Sequence, residues 1–171
     1  MAKSDSFFIR ASLEQDDTAT FKQTEIDLGA YVDALGQSVL RIHNLQYEIT
    51  DDGGLAPNMD GDAAGSCTFQ LTTQSQSDIV KLNNKSVITK GVIWARNPDQ
   101  TTNPPANAFT EDVTPQIFTN GYLVATEAIY LGGSADSAWA ATSNLTISIM
   151  MECTVEKMSQ SAALALALSQ Q

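Results

Sequence analysis

The sequence predicts an all-β protein, an antiparallel sandwich, and three observations carry that prediction. Residues 144–157 place Leu145, Ile147, Ile149, Met151, Cys153 and Val155 on one parity, with Thr146, Ser148, Met150, Glu152, Thr154 and Glu156 on the other. Successive strand side chains point to opposite faces, so this stretch reads as one long half-buried strand with a greasy row and a wet row. Further strand-like segments lie between clusters of Gly, Pro, Asn and Asp, residues that favour turns over strands. Helical composition is concentrated in the tail, residues 159–171, where Ala and Leu dominate. At 171 residues the expectation is a single domain, 1–171, with its core over about residues 7–157 and an extension over 158–171.

The first strand spans Phe7–Glu14, with Phe7, Ile9, Ala11 and Leu13 on one parity. Asp16-Asp17 gives a turn, and residues 20–28 form a second, less regular strand containing Phe21, Ile26 and Leu28. Residues 29–36 read as a helical turn or a loop. Ser38–Thr50 is a strand whose apolar residues change phase, Leu40 and Ile42 on one parity and Leu45, Tyr47 and Ile49 on the other. That change marks a β-bulge near His43-Asn44, or a strand passing from one sheet to the other. Residues 51–66 form a long loop and 67–73 a strand. Residues 78–82 read as a short helix or an edge, Asn83-Asn84 as a turn, and Val87–Arg96 as a strand holding Ile88, Val92 and Trp94. A second long loop, 97–115, carries Pro98, Pro104, Pro105 and Pro115. Residues 122–131 are apolar on both parities, as in a central strand buried on both faces. Gly132-Gly133 then reads as a turn before 134–142 and the closing strand. After Lys157 a helix is favoured, with Ser159 or Ser161 as N-cap, against a strand in which Leu164, Leu166 and Leu168 alternate.

Charge and motifs narrow the chemistry. Nine basic residues against 20 acidic ones leave a net charge of −11, which argues against direct nucleic-acid binding, since that needs clustered Lys and Arg to displace counterions. The N-terminus has no apolar signal region, apolar runs are too short to cross a membrane, and synthesis in a cytoplasm is expected. Cys67 and Cys153 each fall on the apolar parity of a strand and read as reduced core thiols, ahead of a disulfide or metal pair. The lone histidine, His43, reads as a partly buried, hydrogen-bonded imidazole. It has no G-x-S-x-G elbow beside it, and Gly132-Gly133 lacks the spacing of a phosphate-binding loop. No catalytic residue and no cofactor are assigned.

Asp51, Asp52, Asp60 and Asp62 offer oxygens of the kind calcium prefers, and Asp60 and Asp62 are the weak candidates. Their spacing departs from the EF-hand pattern, and solvation of the loop is the plainer reading. Glu111-Asp112, Glu152 and Glu156 read as solvated acids and not as a glycosidase pair. Trp94, Trp139, Tyr122 and Tyr130 fit a sugar platform, but core or subunit packing is the commoner use of such rings. The sequons Asn84-Lys85-Ser86 and Asn144-Leu145-Thr146 are discounted for want of a signal peptide.

The order of segments, from the extended start at Phe7 through the strand from Ser38 to Glu48, two long loops and a doubly apolar strand to the closing strand Leu145–Lys157, resembles the single jelly-roll capsid proteins of icosahedral viruses. The resemblance covers about residues 7–157 and rests on no fingerprint motif, so no site residue is carried over. It implies a single jelly roll of about eight strands and a structural role as a virion protein, made in the host cytoplasm, that assembles with copies of itself into a closed shell. A basic arm of the kind that packages nucleic acid is missing from the opening residues, which fits a shell over an internal membrane or one whose genome is condensed by another component; a second capsid protein and an internal membrane are the further candidate partners. Leu164, Leu166 and Leu168 are the subunit-interface candidates, expected to dock the tail on its own sandwich or on a neighbour. A lectin-like or adhesion sandwich binding carbohydrate is the alternative.

Overall fold

The parity pattern of the closing strand becomes the spine of the molecule. In the computed structural model β9 (Leu145–Lys157) lies between β1 (Phe7–Gln15) and β3 (Ser38–Thr50), antiparallel to both. Its greasy row, Leu145, Ile147, Ile149, Met151 and Cys153, is buried in the core. The structure describes residues 5–15, 20–33, 35, 37–98, 101, 107–111, 116–136 and 144–170, of which 107–111 and 116 by backbone alone.

Nine strands and one helix form the described chain: β2 (Lys22–Asp27), β4 (Ala64–Thr72), β5 (Val87–Arg96), β6 (Asn107–Glu111), β7 (Gln116–Val124), β8 (Ala128–Ala135) and α1 (Gln160–Ser169) complete the set. One sheet runs β1-β9-β3-β7 and the other β2-β8-β4-β5-β6, with every neighbouring pair antiparallel. Consecutive strands β1 to β4 and β6 to β9 therefore alternate between sheets, and only β4-β5-β6 stay together. This winding is a single jelly roll. The two inner faces enclose one core, in which Phe69, Leu71, Leu131, Ile129, Leu45 and Met151 are fully buried. Among the described residues no helix is long and apolar enough to cross a membrane.

The phase change in β3 is a bulge. Ile42 pairs with Cys153 and Asn44 with Glu152, so His43 is the extra residue. That insertion turns both Ile42 and Leu45 inward, where each is fully buried. The strand stays in its sheet throughout.

Several expectations are corrected. Residues 122–131 are not one central strand but the end of β7, a turn at 125–127 and the start of β8, in opposite sheets. Each half turns a different parity inward, which is why the joined stretch reads as apolar throughout. Gly132-Gly133 is not a turn but the middle of β8. A Cβ at Gly133 would stand 2.3 Å from Ile147 Cδ1, so a bare backbone is what lets β8 approach the core there. Residues 78–82 form neither helix nor strand. The loop over 97–115 contains β6, an edge strand paired with β5. The segment 137–143, which includes Trp139, lies outside the described residues.

Candidate functional site

The tail is helical as expected, and it docks on its own sandwich. Ser159 caps α1, its hydroxyl accepting from Ala162 N at 3.4 Å. Ala163 is fully buried in a small cluster with Val39 and Ala125, joined by Leu123, Met158, Leu166 and Ala167. Of the three interface candidates, Leu166 faces the domain, whereas Leu164 (38% exposed) and Leu168 (69% exposed) face out. Docking on its own sandwich thus covers one of the three leucines, because helical spacing puts residues 163, 166, 167 and 170 on one side and 164 and 168 on another.

The end of the helix is held by Gln170. Its Nε2 donates to Leu123 O at 2.6 Å, its Oε1 accepts from Ala125 N at 3.1 Å, and its backbone carbonyl accepts from the Thr73 hydroxyl at 2.7 Å. One buried amide thus satisfies the backbone of the β7–β8 turn. Nothing in the sequence singles it out, since a Gln in a polar tail end reads as solvent-facing.

The outer face of the β1-β9-β3-β7 sheet carries a groove of 710 Å³ lined by Arg10, Ser12, Gln46, Glu48, Ser148 and Met150 among others. At its margin the Arg10 guanidinium lies 5.5 Å from the centre of the Phe8 ring. Toward α1 the same face is occupied by paired side chains. His43 Nε2 meets Thr154 Oγ1 at 2.9 Å, and Asn44 Nδ2 donates to Glu152 Oε2 at 2.5 Å. Arg41 holds Glu156 through two bonds of 2.8 Å and donates a third to Asn120 O. The hydrogen bond to Glu156 raises the guanidinium's affinity for its proton, against a smaller opposing effect of burial. Glu152 and Glu156 are each engaged with a partner on β3, and Glu111-Asp112 falls outside the described side chains. This pairing also explains why Thr154 and Glu156, on the wet parity of β9, are buried.

Trp94 is not a core residue. It stands 43% exposed on the outer face of β5, because the inner row there is Thr89, Gly91, Ile93 and Ala95, small enough at Gly91 to admit the Phe69 ring. A 360 Å³ cleft beside it is lined by Ser66, Trp94, Arg96 and Asp136 with Ala64, Gly65 and Ala95. Tyr122 packs against Phe118 in the other sheet, and Tyr130 lines a separate cleft with Thr73 and Thr126, so the three described aromatics, Trp94, Tyr122 and Tyr130, do not form one platform.

The loop's carboxylates have partners within the chain. Asp51 turns its carboxylate onto the backbone N–H groups of Gly53 and Leu55, both at 2.8 Å, while Asp62 lies 3.9 Å from Arg96. Among the described residues no three His, Cys, Asp or Glu side chains gather at a point. Cys67 and Cys153 are free, buried thiols, as expected, and burial pushes both up to about 12, with the Glu152 charge adding to the shift at Cys153.

No family model matches this sequence, and no curated protein does. Solved structures of similar outline include Merkel cell polyomavirus VP1 as an unassembled pentamer, with a TM-score of 0.46 and 6% identity over 92% of this chain and 98% of that one. Trichodysplasia spinulosa-associated polyomavirus VP1 in complex with 3'-sialyllactose gives 0.44 and 9% over 88% and 94%. Merkel cell polyomavirus VP1 in complex with GD1a oligosaccharide gives 0.44 and 7% over 92% and 96%. The jelly-roll assignment itself rests on the strand order and register of this chain.

Proposed function

We propose that this chain is a capsid-type structural subunit, a single jelly roll that assembles with copies of itself into a closed shell as a component of a virion. The observation that carries the reading is a jelly roll that, among the described residues, exposes nine large apolar side chains on its isolated surface. Five of them, Tyr31, Leu35, Leu82, Leu164 and Leu168, belong to α1 and to the connections 28–37 and 73–86, and exposed apolar side chains gathered on one part of a surface mark association sites. The high negative charge fits a shell protein that leaves genome contact to another component.

Sedimentation and electron microscopy of the purified chain test the proposal. Discrete oligomers and closed particles are the expected result, favoured by salt that shortens the screening length to roughly 8 Å. A chain that stays monomeric over a wide range of concentration and salt refutes it. Trp94 supports a second reading, a carbohydrate-binding sandwich, because an exposed indole beside Arg96, Ser66 and Asp136 offers both a stacking face and hydrogen-bonding groups. Saturable glycan binding that is lost in Trp94→Ala with the fold intact would select that reading.

A further inference from the structure

The two ends of the sandwich differ in charge and in exposed apolar surface. At one end lie the segments 28–37, 73–86 and 125–127 and the tail from Met158, since β2, β4, β7 and β9 finish there. Hydrogen bonds tie these pieces into one surface: Met158 N donates to Gln37 O at 2.8 Å, Leu28 N to Glu127 O at 2.8 Å, and the Thr73 hydroxyl to Ser86 O at 3.3 Å as well as to Gln170 O. In sequence they carry Asp33, Asp78 and Glu127 against Lys81 and Lys85, a net charge of −1, and the tail has no charged residue. At the opposite end, the described residues that join strands, 20–21, 51–63, 97–98, 101, 136 and 144, hold five aspartates, Asp51, Asp52, Asp60, Asp62 and Asp136, and no Lys or Arg. Of the nine large apolar side chains exposed among the described residues, Tyr31, Leu35, Leu82, Leu164 and Leu168 stand at the helix end, and one, Leu55, stands on a described part of an aspartate-bearing segment.

We propose that the helix end is a homotypic interface, the surface through which a second copy of this chain binds, with Leu164 and Leu168 in the contact. The inference rests on the self-assembly reading and adds the surface and the polarity. Copies of a chain at −11 repel, most strongly through their aspartate-rich ends. The helix end, at −1, is where two copies can approach against the least like-charge repulsion, and where exposed apolar area is available for burial. An anionic lipid surface would call for clustered Lys and Arg, and only Lys81 and Lys85 stand on these segments.

The test compares the parent chain with Leu164→Glu/Leu168→Glu and with Leu55→Glu, using sedimentation over a range of concentrations at physiological salt. Both leucines of α1 are exposed, so the fold, followed by circular dichroism, is expected to persist. The concentration needed for association should rise by about tenfold or more in the α1 variant and stay at the parent value in Leu55→Glu. As a second measurement, Leu168→Cys treated with a short bis-maleimide should give linked pairs and Leu55→Cys none, since Cys67 and Cys153 are buried. If the α1 variant associates like the parent, if Leu55→Glu loses association in its place, or if association requires added lipid vesicles, the interface is wrong while self-assembly can stand. If the parent itself stays monomeric, the self-assembly reading falls first and the interface falls with it.

Discussion

Replacing Gln170 by Ala should release the terminal helix while leaving the sandwich intact. The substitution strips a hydrogen-bond partner from Ala125 N, which is buried, and from Leu123 O, which is half-buried. A buried polar group left without a partner costs about 1 to 3 kcal/mol, so the pair should cost about 2 to 4 kcal/mol. What opposes release on the apolar side is small, chiefly Ala163, Leu166 and Ala167 against Val39 and Ala125. At 1.4 kcal/mol per factor of ten, local opening should become about 30- to 700-fold more frequent. Hydrogen exchange reads this directly. The amides of α1 should exchange faster by that factor, whereas those of β3 and β9 should not change, because local opening need not involve the global unfolding that exposes core strands. Gln170→Glu sharpens the test. A carboxylate can accept from Ala125 N but cannot donate to Leu123 O, whereas its protonated form does both, so docking of this variant should hold at acidic pH and be lost as pH rises. Unchanged exchange in Gln170→Ala would show that apolar contact alone holds the tail, and the latch would be refuted.

Two further substitutions test the packing. Arg41→Ala leaves the Glu156 carboxylate, 4% exposed, without its two hydrogen bonds, and should cost about 3 to 5 kcal/mol in denaturant unfolding. Converting Glu156 to Leu in the same chain should recover much of that loss, and a single variant within about 0.5 kcal/mol of the parent would mean that solvent already shares the pair. Gly133→Ala forces a methyl group against Ile147 Cδ1 and should cost about 1 to 3 kcal/mol. Because Ile147→Val removes the clashing atom, the double variant should be more stable than Gly133→Ala alone, and simple additivity of the two losses would overturn this account of the close approach.

Much of the fold was legible because a half-buried strand writes its own orientation into the sequence. β9, β5 and β3 have the boundaries that alternation predicts, and of the two readings of the phase change near His43-Asn44 the register selects the bulge. Alternation is silent about where one strand ends when the next begins on the opposite parity. Thr126-Glu127 is too short and too ordinary a break to interrupt the apolar run of 122–131, and so two strands in different sheets read as one. The glycines of β8 misled for a related reason. Gly-Gly is a turn signal in isolation, and only the position of Ile147, contributed by a strand of the other sheet, makes a bare backbone necessary there. β6 was missed because the prolines around it argue for a loop, and an edge strand that pairs on one side tolerates such neighbours.

The candidate surface was legible only in part, and the reason is physical. Parity and helical spacing tell which side chains lie on a common face, but not which face a neighbouring element covers. The three tail leucines look equivalent in sequence; it is the position of Val39, Leu123 and Ala125 that turns Leu166 inward and leaves Leu164 and Leu168 outside. Trp94 illustrates the same point from the other side, since a large ring in an apolar strand is read as core until the inner row proves to be Thr89, Gly91, Ile93 and Ala95. Charge behaves differently. The total can be read at once, yet a total of −11 says nothing about direction until the strand order sends Asp51, Asp52, Asp60, Asp62 and Asp136 to one end and an uncharged helix to the other. Under the proposed interface, the topology turns a composition that implies repulsion into one in which approach is least opposed at the helix end, and the apolar residues left exposed there are what such an approach would bury.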